Sequence, residues 1–392
     1  MSEPERRLNG SLVVGGRLAP DRSVVIRDGR IVTVEPATSP RRRRTETLGS
    51  DEVIAPGFVD VHVHGGVGVD VMEGPAAIRR LATTLAARGV TSFMPTSVSA
   101  PLGELAAFAS AVGAARRDQS DAAAAPAEAR VIGAHLEGPA IDPGHRGAHD
   151  PAAIVEAGTV LAAWRSRPQD WNEVAMMTLA PERSGGLDLV RALVARHVVA
   201  SIGHTGATFA QAKAAYESGA SSTTHLFNAM TGLTHRAPGV VGAALVAERA
   251  TAELIADGLH VDQVLWPVIW RILGPRLLLV SDGMAATGLG DGVYPLGARA
   301  VTVVQGRATT ADGVLAGSTI TVADAVANLV EAGLALPLAV RAATLTPSRL
   351  LDRRDIGRIA AGARADLVVL DRTGRVRRTM IGGRWLDDMG AP

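Results

Sequence analysis

Hydrophobic and polar positions fall into two textures along this chain. Residues 10–56 carry short β-type runs, SLVVGGRLAP, SVVIRDGRIVTVEP and DEVIAPG, separated by turn signals and without a helical period. After a helical stretch the same texture returns near the far end in ARADLVVLDRTGRVRRTMIGGRWL. The two segments are therefore expected to pair into one small β module. Between them lie eight short apolar runs: GFVDVHVH, TSFMPTS, VIGAHLE, EVAMMTLA, HVVASIGH, SSTTHLFN, TAELIAD and LLLVSDG. Alanine-rich, helix-like stretches separate most of them. Eight strands alternating with helices predict an α/β fold of the (β/α)₈ barrel type. The expected division places residues 1–56 and 350–392 in the β module and residues 57–349 in the barrel.

Composition narrows the chemistry. At 392 residues and 47% hydrophobic content the chain is long enough for both parts. Its formal net charge of +1 supplies no general attraction to nucleic acid or to an anionic membrane. Cysteine is absent, so any metal would be held by nitrogen and oxygen ligands. The amino terminus, MSEPERRLNG, is polar, and no apolar run approaches the roughly 20 residues of a spanning helix. A cytoplasmic location is expected. The one lysine, Lys213, lies in the helical pattern TFAQAKAAYESGA and is expected on the surface. RRRR at 41–44 is read as a solvated loop, and DAAAAPAEAR at 121–130 as a surface connection before the third strand. GGVGVD and GLGDG lack the context of a nucleotide fingerprint and are read as flexible loops.

Almost every apolar run ends in polar side chains at its C-terminal side: His62 and His64, Thr96, Glu137, His204, His225, Asp257 and Asp282. A barrel puts its chemistry at that end of its strands. His62 and His64 alternate on one strand and so project from one face. The set suits two divalent ions, with His62, His64 and Asp282 around one, His204 and His225 around the other, and Glu137 bridging. A single ion on Glu137, His204 and His225 is the smaller reading. No strand run contains a lysine, which leaves Glu137 as the bridge if there is one. Glu182, just past the fourth strand, is read as a loop or supporting residue. His135 is read as barrel packing, His197 as lying at the opposite face, and His145 and His235 as loop histidines near the site without a role.

In this order HLEGP, GHTGAT, THLFNAM, IADGLH, VSDG, GVLAGS and ATLTPSRLL resemble the N-acetylglucosamine-6-phosphate deacetylases of the amidohydrolase superfamily, over nearly the whole chain. The resemblance implies a barrel carrying a small β-sandwich built from both chain ends. It implies that Glu137, His204 and His225 hold the metal found in all members, while the first-strand pair varies. Keeping His62 and His64 points to a site able to hold two ions, with zinc or iron expected. The implied reaction is hydrolysis of N-acetyl-D-glucosamine 6-phosphate to D-glucosamine 6-phosphate and acetate, in amino-sugar catabolism or cell-wall recycling. Asp282 would take a proton from the attacking water and pass it to the departing amine. His149, in GHRGAHD, would steady the developing oxyanion. Asn228, the backbone N–H of Ala229, Arg236 and His260 would bind the substrate. Some of these reach a neighbouring subunit's site in the family, which implies a homodimer. Two departures stand out: Ala140 where an aromatic is common, expected to widen the pocket, and Ser-Asp-Gly where Thr-Asp-Ala is usual. The alternatives are the galactosamine epimer, another amidohydrolase substrate such as a cyclic amide or an aminopurine, and a non-catalytic sugar-phosphate-binding barrel.

Overall fold

A computed structural model describes residues 5–37, 45–121 and 127–389. RRRR at 41–44 and residues 122–126 of the alanine-rich connection lie outside the described residues.

All eight apolar runs form parallel strands. In barrel order these are Phe58–Val63, Val90–Ser97, Ala134–Glu137, Val174–Leu179, Val199–Ile202, Ser222–Thr223, Thr251–Ile255 and Leu277–Val280. Each pairs in parallel with the next. The ring closes where Val63 bridges Gly283 and the Asp282 N–H donates to the His62 carbonyl at 2.9 Å. Strands covered by helices outside and side chains inside are buried on both faces, which is why VAMMTL and LLLV read as continuous apolar runs rather than alternating ones. Within the ring Met94, Met176, Val199, Leu278 and Val280 pack with Leu350, Leu351 and Ile356. Polar side chains are thereby left to the other, C-terminal end.

Helices follow the strands in sequence, from Pro75–Ala87 after the first to Val322–Glu331 after the eighth. Helix starts are chemically marked. Thr208 and Gln211 form a capping box ahead of Phe209–Glu217, as Thr321 and Asp324 do ahead of Val322–Glu331.

The two chain ends meet in one sheet. Strand Glu52–Pro56 lies between Arg6–Val14, to which it runs parallel, and Leu367–Asp371, to which it runs antiparallel. Leu8, Leu12, Val24, Ile54, Leu367, Val369 and Trp385 form its own apolar core. Only Gly57 separates this sheet from the first barrel strand. A Cβ there would lie 2.2 Å from the Thr91 hydroxyl oxygen, so the chain crosses from sheet to barrel too closely for a side chain.

Two features depart from the sequence pattern. Gly65–Gly66 and Val69–Asp70 of GGVGVD pair as a small buried antiparallel hairpin, correcting its reading as a flexible loop. A three-stranded antiparallel sheet, Gly292–Leu296, Arg299–Val304 and Arg307–Thr309, is inserted between the eighth strand and its helix. The alternating burial of RAVTVV is the period-2 signature of a one-faced strand, and its inner face packs Leu296, Val301, Val303 and Ala308 against Met284 and Ala286.

Candidate metal centre and substrate cavity

Six side chains from five strand ends converge at the C-terminal mouth of the barrel. His62, His64 and Asp282 form one group, and Glu137, His204 and His225 a second, each with its ligand atoms within 4.8 Å of one another. All six are buried. Glu137 joins the groups: its Oε1 lies 3.0 Å from His225 Nε2, 3.1 Å from His204 Nε2 and 3.4 Å from His62 Nε2, while its Oε2 lies 3.4 Å from His64 Nε2. Asp282 Oδ1 sits 3.3 Å from His62 Nε2 and 3.1 Å from His64 Nε2.

Three of the four imidazoles are aimed by what binds their far nitrogens. His62 Nδ1 donates to Glu253 at 3.0 Å, His64 Nδ1 to the Thr96 carbonyl at 2.9 Å, and His204 Nδ1 to the His145 carbonyl at 2.9 Å. Each acceptor holds the proton on Nδ1 and leaves a lone pair on Nε2. The Nε2 atoms face one another, 3.2 Å apart between His62 and His64 and 3.0 Å between His204 and His225, whose own Nδ1 is buried without a partner. Facing lone pairs at that distance repel unless a cation lies between them, so the donor set fits divalent metal. No lysine or arginine forms an ion pair with Glu137 or Asp282 among the described residues.

The electrostatics point the same way. Burial pushes the His62 and His64 rings down, but Asp282 and Glu137 more than reverse this, lifting His64 to about 9 and His62 well above its ordinary value. Burial pushes Glu137 and Asp282 up, and the histidine charges hold both well below the usual carboxylate range. The mouth of this barrel calls for positive charge.

The backbone around the centre is unusual. His204, His225, Phe227, Ala229 and Asp282 all have positive φ, between 28° and 79°. Such residues cost of order 1–3 kcal/mol each and cluster where function demands the geometry. Gly317 of GVLAGS, at φ 65°, places its Cα against the strand-eight turn, where a Cβ would lie 2.9 Å from the Asp282 carbonyl. Ser318 N–H donates to that same carbonyl at 2.7 Å.

A cavity of about 480 Å³ opens on the cluster and is lined by His64, Glu137, His204, His225 and Asp282 together with His149, Asn228, Ala229 and His260. Leu296, Val314 and Leu315 of the inserted segment form another part of its wall. His149 is fixed by Ser99, whose backbone N–H donates to Nδ1 at 2.9 Å. His260 Nδ1 donates to Asp257 Oδ2 at 2.7 Å, and the other Asp257 oxygen accepts the backbone N–H groups of Leu259 and His260. Arg236 is not brought in. It is exposed on the segment after strand six and lies outside the lining. The arginine that does line the cavity is Arg146, whose Nε is buried without a partner and whose Nη1 reaches only the Pro143 carbonyl. Ala140 is fully buried in the main core and outside the lining, which corrects the expectation that its small side chain widens the pocket.

The chain matches the amidohydrolase family model over residues 53–386. The chain belongs to the amidohydrolase family. Among curated relatives, N-acetylgalactosamine-6-phosphate deacetylase of Escherichia coli O157:H7 is 37% identical over 93% of this chain and 94% of its own length. N-acetylglucosamine-6-phosphate deacetylase of Vibrio furnissii is 35% identical over 92% and 89%. Among solved structures, a variant N-acetyl-D-glucosamine-6-phosphate deacetylase from Mycobacterium smegmatis, in complex with N-acetyl-D-glucosamine-6-phosphate, superposes with a TM-score of 0.88 at 35% identity, covering 98% of this chain and 100% of that one.

For an amidohydrolase the supporting residues matter as much as the ligands. Glu182 accepts from Thr205 Oγ1 at 2.6 Å and from the Gly206 N–H at 2.7 Å, steadying the loop after His204 as the sequence suggested. His135 is packed inside the barrel between the Val61 carbonyl and Thr178 Oγ1. His197 is exposed at the opposite face, and Lys213 is exposed and paired with Glu217. The pattern missed Glu253, Ser99, Arg146 and the carbonyl of His145. Only Glu253 carried a signal: an acid in the middle of the buried strand TAELI.

Proposed function

We propose that this chain is a metal-dependent deacetylase that hydrolyses N-acetyl-D-glucosamine 6-phosphate to D-glucosamine 6-phosphate and acetate. The observation that carries this reading is that the metal-type cluster opens directly into a cavity of sugar-phosphate size. The likeness to the Mycobacterium smegmatis protein, which binds that sugar phosphate, supports it. The division at residues 56/57 and 349/350 into a barrel and a two-part β module belongs to the same reading.

Glu137, His204 and His225 would hold one divalent ion and His62, His64 and Asp282 a second, with zinc or iron suited to the nitrogen and oxygen donors. When bound, such metal supplies Lewis acidity that polarises the amide carbonyl and makes water more acidic. Asp282, held ionised by its histidine neighbours, is the base that takes the proton of the attacking water and returns it to the amine nitrogen as the C–N bond breaks. With Nδ1 occupied by the Ser99 N–H, His149 carries its proton on Nε2 and donates to the carbonyl oxygen as negative charge develops there. Asn228, Ala229 and His260 face the sugar phosphate across the cavity.

A homodimer is part of the reading. Val268 and Ile272 on helix Trp266–Leu273, with Val264 in the turn just before it, are exposed apolar side chains spaced by four. Arg236 would then serve the partner's cavity. None of the helices is long and apolar enough to cross a membrane among the described residues. A cytoplasmic location suits a phosphorylated sugar, which its charge keeps on one side of a membrane.

A second reading has a specific observation behind it: the Escherichia coli relative is a deacetylase of the galactosamine epimer. The deciding experiment measures acetate release from both 6-phosphates and from unphosphorylated N-acetylglucosamine, with zinc or iron(II) and after chelation. Chelator-sensitive release that favours the glucosamine 6-phosphate and is lost in Asp282→Asn supports the reading. Preference for the epimer moves the substrate assignment, and no release from any sugar overturns the deacetylase.

A further inference from the structure

Glu253 is an acid that neither the sequence pattern nor the proposed reaction uses. It is fully buried in the seventh barrel strand. One oxygen does two things: Oε2 accepts from His62 Nδ1 at 3.0 Å and from the backbone N–H of His225 at 3.0 Å. The other, Oε1, is buried and has no hydrogen-bond partner. A carboxylate in that condition is costly unless positive charge stands close by. No lysine or arginine supplies it; among the described residues its ion-pair partner is His62.

We infer that Glu253 is a positioning residue that equips this barrel for a second metal ion. The inference rests on the two-ion reading of the centre and goes beyond it by naming what makes the first-strand group a ligand set. Two physical effects combine. Geometrically, the carboxylate pins the His62 proton to Nδ1, turns the Nε2 lone pair towards Asp282 and Glu137, and grips the strained backbone of His225 at φ 28° in the other group. One side chain therefore fixes a ligand of each ion. Electrostatically, Glu137, Asp282 and Glu253 are three buried carboxylates, and imidazoles that bind metal do so in their neutral form. One divalent ion leaves that cluster negative, whereas two nearly balance it. Replacing Glu253 by an uncharged acceptor leaves two carboxylates, which a single divalent ion satisfies.

Glu253→Gln separates charge from shape, because the amide oxygen can still accept both hydrogen bonds. Zinc content by mass spectrometry and a zinc titration of the metal-stripped full chain read the outcome. Wild type is expected to take up two equivalents. The variant is expected to keep the first with little change and to bind the second about 10- to 100-fold more weakly, the usual effect of removing a supporting partner. A variant that binds two equivalents as tightly as wild type overturns the inference. Wild type that takes up one equivalent overturns the two-ion reading and this inference with it, a distinct result. Should the variant fold poorly, long-range ¹H–¹⁵N histidine spectra of zinc-loaded wild type decide. An exchange-protected Nδ1–H on His62 is expected, and an Nε2–H form of His62 overturns the inference.

Discussion

The Ser99 backbone N–H donates to His149 Nδ1 at 2.9 Å, and the Ser99 hydroxyl lies 2.8 Å from the same nitrogen. A nitrogen that accepts a backbone N–H cannot carry a proton, so the proton of the neutral ring is on Nε2, which faces Glu137 Oε2 at 3.1 Å. Burial pushes the ring down to about 4, and it stays a neutral donor near neutral pH. His149→Ala should lower kcat for acetate release by about 10²–10³-fold, the range for losing one oxyanion donor. Ser99→Ala keeps the backbone N–H and should cost far less. Equal losses in the two variants would assign Ser99 a role of its own.

Metal should stabilise the fold as well as activate it. Three buried carboxylates and four imidazoles crowd the mouth, and cations that bind only the folded chain add about 2.7 kcal/mol per site at one hundred times Kd. Calorimetry with zinc and after chelation should show a lower melting temperature for the stripped protein. Unchanged melting would mean that the folded and unfolded chains bind metal alike.

Asp257 and His260 should make stability depend on pH. Burial pushes Asp257 up and the His260 ring down, yet the bond between them wins in both, lowering the acid and raising the base. The raised His260 contributes fully below its ordinary 6.5 and loses this as pH rises through its folded value. The lowered Asp257 contributes fully above its ordinary 3.8 and loses this as pH falls through its folded value. The pair is thus worth most between those two values. Asp257→Asn should shift the urea midpoint more at pH 5 than at pH 9, and equal shifts would show that the His260 charge is not involved.

Two arginines make opposite predictions about where phosphate is gripped. Arg146 lines the cavity of its own chain, with a guanidinium nitrogen buried and unbonded, so Arg146→Met should raise KM for the phosphorylated sugar at least tenfold with kcat little changed. Arg236 is exposed and away from that lining. If it serves a partner's cavity, mixing and refolding inactive Asp282→Asn with weakened Arg236→Met should restore part of the activity in mixed dimers. No recovery would place Arg236 outside the shared site.

The barrel and the His, Glu and Asp side chains clustered at its mouth were legible because strand ends carry them in short local words: HVH, HLE, GHT, THL and SDG each sit beside an apolar run that names its own strand. What supports them was not legible, because it arrives from elsewhere in the chain. Glu253 meets His62 from 191 positions away and Ser99 meets His149 from 50. Arg236 and Arg146 lie in loops of similar polarity, and only the folded cavity separates them. The inserted three-stranded sheet escaped notice because its alternating pattern stands in a glycine-rich stretch where a barrel loop was expected.

The sheet that joins the two chain ends sets the order in which the molecule can be finished. Strand Glu52–Pro56 is buried at Val53, Ile54, Ala55 and Pro56, and one of its edges is covered only by Leu367–Asp371. During synthesis the ribosome must deliver the whole barrel before that covering strand appears. Until then a newborn chain displays an apolar, unpaired edge of the kind that recruits neighbours into aggregates. Yield in a cell should therefore depend on how quickly the last strands dock, or on a chaperone that shields the early ones while they wait.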